Sequence, residues 1–257
     1  MPLKPLFVKL HFPKITVVTV CFNAEGTIER CIKSVLSQDY PNLEYVIVDG
    51  GSTDGTVPII SKYKNRINIF ISEPDNGIYD AMNKGIAFSS GEITGMLNAD
   101  DFLTGENILT VVHETFKKDE PYIVYGDLDY IDGAGRVIRK WRSGQYKHGM
   151  FNYGWMPPHP TFYCKTELFE KLGNYQLVYG TAADYELMLR FMHLHKLPAA
   201  YIPMVMVKMA AGGVSNQSIS NRLKALKNDL KAMYKNGVFL PPIALLFKPL
   251  RKIKQFF

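Results

Sequence analysis

Short apolar runs and helical periodicities take turns along the first half of the chain. Residues 15–20 (ITVVTV) form a β-branched run, and Ile28, Ile32, Val35 and Leu36 follow it at three- and four-residue spacing. A strand is therefore predicted to lead into an amphipathic helix. The couplet then recurs. Residues 45–48 precede a Gly-rich loop and a helix carrying Val57, Ile59 and Ile60, and residues 67–71 lead through Pro74 and Gly77 to a helix over 78–88. Residues 93–97 lead to a helix carrying Ile108, Val111, Val112 and Phe116. Gly85 weakens the third helix without excluding it. Alternating units of this length predict a mainly parallel sheet with helices on both faces.

After residue 123 the rhythm changes. Asp132-Gly133-Ala134-Gly135 reads as a hairpin turn between residues 128–131 and 137–141, behind an apolar run at 123–125. Helices are predicted over 167–172, closing at Gly173, over 185–195, and over 218–236, closing at Gly237. The second half is thus expected to be mixed α+β, without an internal repeat.

Composition adds limits. Of 257 residues, 47% are hydrophobic and 21% charged, the balance of a globular protein with a substantial core, which excludes disorder and fibre. Cys21, Cys31 and Cys164 contain no CxxC pair and predict neither a disulfide framework nor a zinc site, which fits a reducing cytoplasm. The opening MPLKPLFVKLHFP, broken by Lys and Pro, is not expected to act as a secretory signal. The longest apolar run, 238–247, holds two prolines and is too short to span a bilayer.

Charge is unevenly placed. From Arg222 onward nine Lys and Arg face one acid, Asp229, so the last segment carries +8 and the first 221 residues carry −2. The near-neutral body argues against a nucleic-acid partner. The tail places Arg222, Lys224, Lys227, Lys231 and Lys235 before the apolar run, then Lys248, Arg251, Lys252 and Lys254 before Phe256-Phe257. That pattern predicts an interfacial segment on an anionic membrane surface, the alternative being a charged helix packed on the core.

In a parallel sheet the ligand site lies beyond the carboxyl ends of the strands. Those positions read Cys21-Phe22-Asn23, Asp49 to Thr56 (DGGSTDGT), Glu73-Pro74-Asp75-Asn76-Gly77 and Asn98-Ala99-Asp100-Asp101. Six carboxylates at one edge call for cations or hydrogen-bond donors, which suggests a divalent metal and a polar ligand. Asp100 and Asp101 are the candidate metal ligands, with Mg²⁺ or Mn²⁺ suited to their oxygens; helix capping by Asp101 is the plain alternative. Asp127 and Asp129 form a rival pair, expected to part between the two faces of a continuing strand and to be structural. Gly50, Gly51 and Gly55 do not fit a dinucleotide fingerprint, so Asp49 is the candidate acceptor of hydrogen bonds from a base or ribose.

Three motifs in order, Val48 to Thr56, Glu73 to Gly85 (EPDNGIYDAMNKG) and Leu97 to Asp101 (LNADD), resemble the nucleotide-sugar half of glycosyltransferase family 2. The resemblance covers roughly residues 14 to 215. It implies a Rossmann-like GT-A fold and an inverting enzyme that uses a nucleotide diphosphate sugar, usually with a divalent metal. Residues 1–13 then form an N-terminal extension and 14–217 the catalytic domain, with a nucleotide-binding half over 14–102 and an acceptor half over 103–217. Residues 218–257 form a basic amphipathic helical tail.

Carried over by residue, the resemblance gives Asn23, Asp49, Asp80, Asn83, Asn98 and Asp100 to the nucleotide sugar, Asp100 also to the metal, and the catalytic base to Asp184 in Ala182-Ala183-Asp184-Tyr185-Glu186-Leu187. Trp155 and His159, in a stretch with Tyr153, match the acceptor side. Departures are Asn98 for the first Asp of DxD, Gly50 for a frequent second Asp, Met82 for Arg and Ala183 for Glu. Glu186 is the next candidate base, Arg190 is expected as an exposed helix arginine, and most other histidines are expected at the surface. Gly212-Gly213-Val214-Ser215 suggests a closing loop.

The reading is a hexosyl- or N-acetylhexosaminyl-type transferase, with a UDP-sugar favoured as donor and a glycan or lipid-linked acceptor. It would build a surface polysaccharide or glycolipid from the inner face of the cell membrane, as a peripheral cytoplasmic protein. Competing readings are a sugar-phosphate nucleotidyltransferase, which an acidic first loop without Lys or Arg disfavours, and a non-catalytic membrane-surface module.

Overall fold

The computed structural model describes residues 11–210 and 219–256, with the backbone alone at 219–222 and 254. The suggested loop at Gly212 to Ser215 lies outside these residues. Strands β1 (Ile15–Cys21), β2 (Leu43–Asp49), β3 (Ile69–Ser72) and β4 (Ile93–Asn98) run parallel in the order β3-β2-β1-β4. Their crossovers are α1 (Ile28–Leu36), α2 (Thr56–Ser61) and α3 (Ile78–Phe88). Every residue of β1 is buried because both of its faces are covered. Val18, Val20, Val46 and Val48 meet Met82 and Ile86 of α3. Ile15, Val17 and Ile47 face the other way, onto Ile28 and Ile32 of α1 and Val112 of α4 (Ile108–Asp119). Gly85 has a packing reason: a Cβ there would collide with Val18, so glycine lets α3 lie close on β1.

Beyond β4 the sheet becomes mixed. β8 (Tyr163–Lys165) is antiparallel to both β4 and β6 (Ile123–Ile131), and β9 (Ala199–Ala210) is parallel to β6. The short β5 (Phe102–Leu103) pairs with β9, and β7 (Val137–Trp141) forms the expected hairpin with β6. The runs at 123–125 and 128–131 are one strand. β9 carries Pro203, which argues against a ladder position from sequence. The register jumps from Tyr125 opposite Tyr201 to Asp127 opposite Val205, and this bulge takes the residue that lacks an N–H out of the pairing.

The helix expected over 185–195 begins two residues earlier. It consists of α6 (Ala183–Met188) and a π turn over Leu189–Leu194, following α5 (Glu167–Leu172). The tail forms α7 (Ile219–Lys235) and α8 (Pro241–Ile253), which fold back on the body. Ala232, Met233, Val238 and Ala244 are buried in the same core as Phe151, Trp155 and Tyr185. Gly154, at φ +69°, lies under α8, where a Cβ would come 2.5 Å from the Lys248 amide nitrogen. The tail thus packs on the core along one face. It leaves Leu223, Tyr234, Phe239, Leu246, Leu250 and Phe256 exposed. Among the described residues no helix is long and apolar enough to cross a membrane.

Two histidines depart from the surface expectation. His113 is buried against Phe12 and Tyr40, and His193 is buried beside Phe151; burial lowers the pKa of each ring. All three cysteines are free and buried, which pushes their thiols up, Cys31 to about 12, and makes them poor nucleophiles.

Candidate active site

Sheet register sets the carboxyl edge. Cys21, Asp49 and Ser72 stand in one row across β1, β2 and β3, and Asn98 pairs with Val20 in the row before. The buried Asp49 carboxylate accepts hydrogen bonds from the Gly51 amide (3.2 Å), the Ser52 amide (3.0 Å) and hydroxyl, the Ser72 hydroxyl (2.7 Å) and the Cys21 thiol (3.6 Å). Five donors use the acceptor capacity of one carboxylate. Asp49 therefore holds the shape of its own loop. Asn23, at φ +47°, ties the first loop to the second by donating its amide to Ser52 Oγ (2.8 Å) and accepting from the Thr53 amide (2.9 Å).

Asp75 emerges as a further member of this edge. Its carboxylate abuts Gly50 so closely that a side chain at position 50 would collide with it, so the acid lost at Gly50 is replaced in space by one from the next loop. Asp80 accepts from the Asn76 amide (2.9 Å) and braces the start of α3. Asn83 bonds both backbone groups of Tyr175, donating to its carbonyl (2.9 Å) and accepting from its amide (3.0 Å). Both residues are engaged inside the chain.

The structure gathers Asn98, Asp100, His159 and Asp184. Asn98 Nδ2 lies 3.5 Å from His159 Nε2, and His159 Nδ1 lies 3.8 Å from Asp184 Oδ2. Burial lowers the His159 pKa against the opposing pull of Asp184 and Asp100, so the ring is neutral near pH 7. An Asn98 amide that donates to Nε2 would leave the ring proton on Nδ1, the nitrogen on the Asp184 side. Asp184 stands in the first turn of α6, where its Oδ1 accepts from the Tyr185 amide (2.7 Å). Tyr79 adds a phenol whose pKa is raised by burial and by Asp184. Asp184 also opens on a cavity of about 1080 Å³.

Asp100 is half-buried, and Arg30 fixes its backbone by donating to its carbonyl (3.2 Å) while stacking over Phe102. Nothing in the spacing around Arg30 marks that role. Asp101 is fully buried, and burial with the Asp100 charge pushes its pKa well up. Neither its oxygens nor Asn98 Oδ1 has a hydrogen-bond partner among the described residues. Among the described residues no group of three His, Cys, Asp or Glu surrounds one point there. Magnesium-type sites often use one or two carboxylates and let substrate phosphates complete the shell, so these orphaned oxygens fit a divalent cation.

Other expectations change. Trp155 is buried, donates its indole N–H to the Ser143 carbonyl (2.9 Å) and stacks on Tyr146, so only part of it reaches the cavity. Arg190 is not exposed. It pairs with the buried Glu186 (3.0 Å) and donates to the carbonyls of Leu172, Gly173 and Asn174. Glu186, also bonded by Asn236 (3.3 Å), is thereby removed as an alternative base. Asp127 and Asp129 are not parted either: two residues apart in β6 they share a side and both approach Arg142, at 3.8 and 2.7 Å, in a structural role.

Comparison with known proteins shows the family and the fold. Residues 16–208 match the family model described as glycosyl transferase family 2. The chain is 32% identical over 188 residues to an uncharacterized glycosyltransferase of Mycobacterium tuberculosis, covering 69% of this chain and 68% of the relative. Its fold is similar to that of S. aureus TarS 1-349 in complex with UDP-GlcNAc, with TM-score 0.68, 17% identity, and coverage of 86% of this chain and 66% of that one. The chain spans 39% of the longer TarS chain. It is also similar to the mannosyltransferase PcManGT from Pyrobaculum calidifontis in complex with GDP-Man and Mn²⁺, with TM-score 0.66, 19% identity, and coverage of 94% and 70%. The carboxyl-edge loops, the Asn98-to-Asp101 turn and Asp184 thus sit in a GT-A fold, and the chain belongs to glycosyltransferase family 2.

Proposed function

We propose that the protein is an inverting glycosyltransferase that moves a sugar from a nucleotide diphosphate sugar, a UDP-sugar being favoured, to an acceptor hydroxyl. The observation that carries this reading is the Asp184 carboxylate, set between His159 and an open cavity. Asp184 Oδ2 takes the proton of the acceptor hydroxyl as its oxygen bonds to the anomeric carbon. The bond from that carbon to the diphosphate breaks on the opposite face, which inverts the configuration, and the nucleoside diphosphate leaves. The neutral His159, its Nδ1 3.8 Å from Asp184 Oδ2, flanks the carboxylate without competing for the proton. The loops braced by Asp49, Asn23 and Asp75 form the nucleotide's seat, so Asp49 acts through the loop it shapes. A divalent cation, Mn²⁺ or Mg²⁺, would be held by Asp100 and Asp101 with Asn98 Oδ1 beside them, and would supply positive charge for the departing diphosphate when bound.

The test is a panel of nucleotide sugars read by thermal unfolding with and without Mn²⁺. A true donor at a hundred times its Kd adds about 2.7 kcal/mol of stability, or roughly 5–10 °C for a chain of this size. In Asp100→Ala the Mn²⁺-dependent part of that shift should disappear while the unliganded melting point stays. Retention of the full shift would remove Asp100 from the metal site.

Attachment to an anionic membrane on the cytoplasmic side belongs to the same proposal, supported by exposed apolar residues beside the basic ones on α8. Because the tail is partly core, side chains rather than the whole segment should be changed. Leu246→Ser, Ile253→Ser and Phe256→Ser together should release the protein from anionic vesicles at low salt and leave its donor-induced melting shift intact. Unchanged sedimentation would overturn membrane docking through this face.

A further inference from the structure

The cavity beside Asp184 is walled by β7 and residues 153–156 on one side and by the tail helices α7 and α8 on the other. Five cations line it: Lys140, Arg142, Lys248, Arg251 and Lys252, against Asp184 and Asp229. Lys248 is paired with Asp229 at 2.7 Å and Arg142 with Asp129 at 2.7 Å. Arg251 donates to the Tyr153 carbonyl (2.8 Å), which leaves its charge uncompensated. Lys140 and Lys252 make no ion pair among the described residues. Three cations that line one cavity from its two sides repel one another, and that arrangement favours an anion entering between them. Leu226, Phe247 and Leu250 line the same space, and Leu246 and Ile253 of α8 and Phe256 just after it are exposed apolar side chains.

None of the edge residues Asn23, Asp49, Asp75, Asn98 or Asp100 lines this cavity; it meets the reaction centre at Asp184 and its neighbours Thr181 and Tyr185. The donor's diphosphate therefore belongs elsewhere. A ligand that fills the cavity must offer a hydroxyl to Asp184, an anionic group to the cations and an apolar portion to α8. We infer that this cavity is the acceptor site, and that Lys140, Arg251 and Lys252 hold the phosphate or diphosphate joining the acceptor sugar to a lipid. This rests on the glycosyltransferase reading and adds the chemical class of acceptor to it. The tail then builds the acceptor site as well as facing the membrane.

The chain's two tryptophans, Trp141 and Trp155, both line the cavity, so intrinsic fluorescence reports on its occupancy. The full-length protein in neutral detergent micelles would be titrated with farnesyl diphosphate, farnesol and inorganic pyrophosphate. Farnesyl diphosphate should change the emission with saturation, and both other probes should bind at least about tenfold more weakly, because each lacks one of the two contacts. Lys140→Ala with Lys252→Ala, two side chains that make no ion pair among the described residues, should weaken farnesyl diphosphate by about tenfold or more and leave the far-UV spectrum and melting point of the free protein unchanged. Equal binding of farnesol would make the cavity an apolar groove, and equal binding of pyrophosphate would make it a site for free phosphate; either overturns the proposal, as does an unchanged affinity in the double variant. The nucleotide-sugar melting shift, measured on the same samples, reports on the glycosyltransferase reading separately.

Discussion

Asp184→Asn is expected to lower turnover by about 10²–10⁴-fold, the usual contribution of a general base, with donor affinity nearly unchanged. Asparagine keeps the size of the side chain, and its oxygen can still accept from the Tyr185 amide, so α6 should begin as before. What disappears is the carboxylate that takes the acceptor's proton. No neighbour replaces it: Glu186 is buried in its pair with Arg190, and burial keeps the His159 ring a weaker base than usual. Release of nucleoside diphosphate at saturating donor and acceptor measures the loss, and the donor melting shift measures binding. Loss of both together would indicate a disturbed fold. Transfer within about threefold of the parent, far inside the range expected for a lost general base, would move the base away from Asp184.

The first half of the molecule was legible in the sequence because its strands are buried on both faces and its helices are amphipathic. The runs at 15–20, 45–48 and 93–97 became β1, β2 and β4 with little change at their ends. What escaped was set by tertiary pairing. β8 has three residues, too few for a period, and the proline in β9 is tolerated only because a bulge opposite Gly126 removes it from the ladder. At the site, the Asn98-to-Asp101 turn was visible as residue types at a strand end, and Asp184 only through the family resemblance. The contact of His159 with both Asn98 and Asp184 was not, since it joins three elements that no spacing relates. Arg190 was misplaced for a different reason: a helical arginine is usually exposed, and only the carbonyls of the 172–174 loop, brought over it by the fold, give its remaining donors partners.

That buried arginine makes the second large effect one of stability. Removing one partner of a buried ion pair typically costs about 3–5 kcal/mol, because the other charge stays buried and unpaired. Arg190→Met should approach that value, since Glu186 is only 1% exposed and the carbonyls of Leu172, Gly173 and Asn174 lose their donors at the same time. At roughly 2–4 °C per kcal/mol for a chain of this size, the melting point should fall by about 6–20 °C. Arg190→Lys should recover only part of this, because an ammonium cannot reach Glu186 and three carbonyls with one planar fork. Arg190→Met combined with Glu186→Leu should be more stable than Arg190→Met alone, since the second change removes the stranded carboxylate. The loop held by Arg190 continues to Tyr175, whose backbone groups are both bonded by Asn83 of α3. Loss of the arginine should therefore also loosen the hold of this loop on α3, seen as faster amide exchange in residues 172–176. A melting point within about 2 °C of the parent, less than a single kcal/mol at this chain length, would mean that the pair is held no better than it would be in water.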